Sequence, residues 1–110
     1  MSFAKESDKL AKELIDAEYV NACKNWGDKY NSLHEAYAIL KEEIEETQER
    51  LDDLKKNLGL FWDGIRHDFL NVDFNSLTQE MLQDVIFQTL ELAQCGAVLM
   101  KICNTIGEVK

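Results

Sequence analysis

A chain of 110 residues with 45% hydrophobic and 30% charged side chains reads as one globular domain, residues 1–110, with a real but modest core. Twelve basic residues against 21 acidic ones give a net charge of −9, which argues against a nucleic-acid backbone or an anionic membrane as partner and suits a protein that concentrates cations. With no proline, five glycines and few stretches of period-two alternation, the chain reads as all-α.

The first predicted helix runs from Ser2 or Ser7 to Trp26, with Leu10, Ala11, Leu14, Ile15, Val20, Cys23 and Trp26 on its apolar face. Gly27 sits where a left-handed cap ends a helix. The second helix opens on Ser32-Leu33-His34-Glu35, a capping box in which serine and glutamate satisfy each other's free amides. It is expected to reach Leu58 and stop at Gly59. A short third helix, Leu60 to Leu70, carries Phe61, Trp62, Ile65 and Phe69, and 71–75 reads as a connection. Ser76-Leu77-Thr78-Gln79, a second capping-box match, is expected to open a fourth helix from Leu77 to Ile106, with Gly107 after it. That helix is apolar on almost every side and must be buried on almost every side. In so small a chain this requires a partner subunit, and the expected assembly is a homodimer or homotetramer.

Within the second helix, Leu33, Tyr37, Leu40, Ile44, Thr47, Leu51, Leu54 and Leu58 recur at spacings of four and three, a pattern that predicts a core-facing stripe. Glu43 and Glu46 share a strip beside it with Ala36 and Ile39, and Glu42 and Glu45 point farther out. Arg50 continues the strip and has the spacing to pair with Glu46. Such a strip is either a solvated, salt-bridged face or half of a cation site.

Glu91 lies mid-helix between Leu90 and Leu92, in the most apolar segment of the chain. Burying an ionised carboxylate is costly unless it is paired or bound to metal. It shares a narrow polar strip with Glu80, Asp84, Gln88, Gln94 and Cys95. That strip either meets solvent and hydrogen-bonds within the bundle, or faces Glu43 and Glu46 across an antiparallel helix pair. The second arrangement sets three carboxylates on facing helices, the donor type that Mg²⁺ takes.

The stretch from His34 to Glu46, with Glu42-Glu43-Ile44-Glu45-Glu46 at its end, resembles the first metal motif, EExxE, of the MazG-like all-α nucleotide pyrophosphohydrolases. Glu91-Leu92-Ala93-Gln94, and the segment running on to Met100, is similar to the second motif, ExxD, in a divergent branch of that superfamily. The resemblance spans Ser32 to Ile102. It implies an antiparallel bundle of about four helices, oligomeric, which hydrolyses a nucleoside triphosphate to the monophosphate and pyrophosphate with Mg²⁺ or Mn²⁺. Carried over by position, Glu43, Glu46 and Glu91 are the metal ligands. Glu42, Gln94 and Asp84 are the auxiliary candidates, Asp84 (or Glu80) as a substitute from farther upstream on the Glu91 strip. Gln94 departs from the motif's aspartate and removes one anionic ligand; a neutral amide still offers an oxygen, but to a site weakened for a hard cation. No catalytic residue is assigned.

Cys95 and Cys103 are about 12 Å apart along one predicted helix, too far to bridge, and with Cys23 they read as small core residues of a reducing compartment. His34 and His67 read as surface or packing residues rather than catalysts, and Trp26 and Trp62 as packing aromatics before nucleobase platforms. The polar residues Gln88, Glu91 and Gln94 argue against a membrane span, and the expected location is cytoplasmic. The alternative to an enzyme is a non-catalytic, oligomeric helical interaction protein with a degenerate metal site.

Overall fold

A computed structural model describes residues 2–67 and 73–109, with side chains described for 5–67 and 73–107. The described residues form three helices: α1 (Ser2–Trp26), α2 (Leu33–Arg66) and α3 (Phe74–Val109). The all-α expectation holds.

Local chemistry sets most of the helix ends. Gly27 stops α1 in the left-handed region, with φ of 80° and its amide bonded to the Cys23 carbonyl. Ser32 caps α2, its extended backbone letting Oγ accept from the Glu35 amide at 3.1 Å. The reciprocal half of that capping box does not form, because the Glu35 carboxylate accepts from the Asn31 side chain instead.

Three predicted boundaries move. α2 does not stop at Gly59 but runs on to Arg66, 34 residues in all, so the helix predicted to begin at Leu60 is its last two turns. A helical glycine costs only about 1 kcal/mol relative to alanine. Continuation sets Phe61 edge-on against Phe74, ring centroids 5.2 Å apart, and buries Gly64. At α3 the cap is Asp73 and not Ser76: its carboxylate accepts from both the Ser76 amide and hydroxyl, and the helix starts at Phe74. Gly107 lies within α3. Phe69, Leu70, Asn71 and Val72 fall outside the described residues.

α2 and α3 form an antiparallel hairpin, in register through Thr47–Cys95, Arg50–Glu91, Asn57–Asp84 and Phe61–Phe74. Among the described residues α1 packs on α3 and its backbone does not approach that of α2, so α3 is the central helix. The closest α1–α3 approach is at Gly96, where an added Cβ would lie 2.9 Å from three Ile15 carbons. Every described residue from Lys5 to Glu13 is exposed, so only the second half of α1 is docked.

The α3-facing side of α2 follows Ala36, Glu43, Thr47, Arg50, Leu54, Asn57, Phe61 and Gly64, and shares only Thr47 and Leu54 with the predicted apolar stripe. The reason is helical phase: Tyr37, Ile44, Leu58 and Ile65 each follow a residue of that side and therefore turn to one flank, where they stand 42–66% exposed. α3 presents the same feature, with Val85, Leu92, Leu99 and Ile106 at seven-residue spacing and 43–54% exposed. The buried apolar residues are small or few, namely Ala36, Leu77, Ala93, Cys95 and Ala97, and no large side chain among the described residues is fully buried.

Candidate functional site

Antiparallel pairing brings the two acidic strips together at mid-hairpin. Arg50 Nε donates to Glu91 Oε1 at 3.3 Å, and its guanidinium lies 4.8 Å from the centre of the Phe87 ring. The Glu91 side chain is only 16% exposed. Arg50 thus pairs across the helices with Glu91 and not along α2 with Glu46. Glu46, Glu49, Asp53, Arg50 and Glu91 together line a small polar depression.

Two carboxylate oxygens at this place, Oε2 of Glu43 and Oε2 of Glu91, are sealed from solvent and accept no hydrogen bond. A buried unsatisfied acceptor is costly, more so on a charged group. Burial pushes the Glu43 carboxyl above the usual carboxylate range, and the charges of Glu46, Glu42 and Glu91 add to the rise. That Glu91 contributes puts it within electrostatic reach of Glu43 across the helix pair.

Glu43 also lines the neighbouring cleft, of about 730 Å³, between α1, the 27–32 connection and the α2–α3 hairpin. Trp26, Tyr30, Gln94 and Lys101 line it too. Lys101 is only 6% exposed; its ammonium sits 4.3 Å from the Tyr30 ring centre and donates to the Trp26 carbonyl at 3.4 Å. The Tyr30 amide donates to Thr105 Oγ1 at 2.8 Å, and Asn104 bonds the Tyr19 hydroxyl and the Asp28 carbonyl, so α3 holds this wall of the cleft. Burial and the nearby Glu43 and Glu35 charges raise the Tyr30 hydroxyl above its ordinary value.

Of the predicted site residues, then, Glu43, Glu46 and Glu91 lie on facing sides of one hairpin, and Gln94 lines the same cleft as Glu43. Glu42 is exposed and acts on Glu43 only through its charge. Asp84 is buried farther along, accepting from Asn57 at 3.0 Å. Among the described residues no three His, Cys, Asp or Glu side chains are gathered so as to hold a metal ion. His34 and His67 are exposed. Arg50 as the Glu91 partner, and Lys101 and Tyr30 as cleft residues, were not singled out by sequence; a lysine within the greasy fourth helix was the available signal. No family model, curated protein or solved structure matches the chain.

Proposed function

We propose that the cleft and the adjoining acidic strip bind a nucleoside triphosphate with Mg²⁺ or Mn²⁺ and hydrolyse it to the monophosphate and pyrophosphate, as the resemblance to the MazG-like pyrophosphohydrolases implies. One observation carries the reading: Glu43 borders a cleft of ligand size while its sealed Oε2, like that of Glu91 on the facing helix, has no hydrogen-bond partner. Oxygen donors of this kind suit a hard divalent cation. Glu43, Glu46 and Glu91 are not gathered into a metal cluster among the described residues, so holding the ion would require their side chains to converge on it, with Gln94 as a neutral donor in the cleft wall. An ion held by these carboxylates would supply neutralisation of charge on the triphosphate.

The chain's own residues supply the rest. Lys29 and Lys101 place positive charge in the cleft that Glu43 lines, where it would meet the phosphates of a bound nucleotide. The exposed ring of Trp26 and that of Tyr30 offer stacking faces for a base. A carboxylate of the strip would orient a water and take its proton as the water's oxygen bonds to the α-phosphorus; the bond from that phosphorus to the bridging oxygen breaks, and pyrophosphate leaves with that oxygen.

Arg50 favours a second reading, a non-catalytic interaction bundle with a degenerate site. Its guanidinium already occupies one oxygen of Glu91, and Gln94 lacks the motif's charge. The two readings part on turnover. Common ribo- and deoxyribonucleoside triphosphates are incubated with the protein and with Gln94→Asp, in excess Mg²⁺ or Mn²⁺. The enzyme reading expects slow pyrophosphate release, faster in Gln94→Asp; no release from either protein supports the interaction bundle.

A further inference from the structure

We propose that the face of the α2–α3 hairpin opposite the cleft is an interface with a second copy of this chain. The inference is independent of what the cleft binds. Ile39 of α2 and Gln94 of α3 line the cleft, whereas the Tyr37–Ile65 and Val85–Ile106 ladders turn to the other flank of their helices. In an antiparallel pair those flanks coincide, so the two ladders make one continuous apolar face.

The occupant follows from area. The chain exposes 8212 Å², against about 6,200 Å² for a compact monomer of its mass. Its radius of gyration is 18.4 Å, against about 13 Å for a compact chain of this length. The surplus is roughly 2,000 Å² per chain. Even if half belongs to the undocked start of α1, about 1,000 Å² remains, more than the ~800 Å² each partner contributes to a standard interface. Two seven-residue ladders on adjacent helices suit a matching hairpin, whose ladders interdigitate with them.

Lipid is the competing occupant, since α3 from Phe74 to Gly107 is long and apolar enough to cross a membrane by length and composition. The α2 half of the face decides against it. Its ladder is bordered by exposed Lys41, Glu45, Gln48, Asp52 and Lys55, a polar rim that belongs in water around a protein interface.

Light scattering on the full chain at micromolar concentration tests this, together with mass-spectrometric mapping of iodoacetamide labelling. The expected mass is at least twice 12.7 kDa. The double variant Ile44→Glu/Leu92→Glu should fall to a single-chain mass with its helical circular dichroism kept, while Leu10→Glu on the undocked part of α1 should leave the assembly whole. Cys103, exposed on the single chain and lying on the ladder side of α3 between Leu99 and Ile106, reports without mutation. It should be shielded in the wild-type protein at micromolar concentration and become labelled on dilution. A wild-type monomer overturns the proposal, as does Cys103 labelling that is fast at every concentration. A monomer that floats with phosphatidylcholine vesicles overturns it too and assigns the face to lipid.

Discussion

Glu43 is the residue on which the acidic strip and the cleft meet, and its ionisation works against the fold. Its carboxyl is raised above the ordinary range by burial first and by neighbouring acids second. The folded state therefore holds its proton to higher pH than the unfolded chain does. The stability contributed by this group is full below the unfolded pKa and is lost as pH rises through the raised folded value. Glu43→Gln should accordingly be more stable than wild type in urea at pH 7 without metal, and the gain should shrink towards pH 4. An equal gain at both pH values would mean that charge is not the cause. Arg50 has the opposite standing, as the partner that makes a mostly buried Glu91 tolerable. Arg50→Ala should destabilise the metal-free protein by about 1 kcal/mol, since the pair is partly solvated on the arginine side. It should also strengthen divalent-cation binding, because Glu91 is released; calorimetric titration of the variant with Mn²⁺ reads this directly.

At the scale of the helices, what could be read in the sequence was what one or two residues decide. Gly27 and Ser32 are such residues, and both ends fell where predicted. Gly59 was misread because a glycine is a stop only when the chain must turn there, and Phe61 and Gly64 pull the next two turns onto α3. Asp73 outcompeted Ser76 because both are cap residues three positions apart, and periodicity alone does not rank them. The facing of Glu43 and Glu91 was anticipated as one of two alternatives, whereas the Arg50 bridge depends on hairpin register, which no local pattern encodes. Two glycines separate these effects by experiment. A methyl at Gly59 meets open space, so Gly59→Ala should stabilise the protein by about 0.5–1 kcal/mol if α2 is continuous, and destabilise it if the helix breaks there. Gly96→Ala should do the reverse despite its better helix propensity. The new methyl meets the branched Ile15 side chain at 2.9 Å, and overpacking at that crossing should cost about 1–3 kcal/mol in chemical denaturation.

Taken whole, the molecule measures 62 × 36 × 22 Å, and the three helices of its described residues have a cleft on one side of the hairpin and an apolar face on the other. The apolar surplus of the last helix was legible from composition, because a helix greasy on most sides has to be covered. Which side remained uncovered was not legible, since the phase of α2 against α3 is set by small and polar residues, Ala36, Asn57 and Gly64 among them, and not by the leucines. The same phase turns Glu43 and Glu91 inward and leaves an oxygen of each without a partner. In the proposed function a divalent cation takes these two oxygens. Electron paramagnetic resonance of Mn²⁺ tests it most directly, because the six-line signal of the free hydrated ion is lost on binding. The account predicts that the wild-type protein removes close to one Mn²⁺ per chain from the free signal, and that Glu43→Gln and Glu91→Gln each abolish the loss. An undiminished free-ion signal at millimolar Mn²⁺, or binding that survives both substitutions, would contradict it.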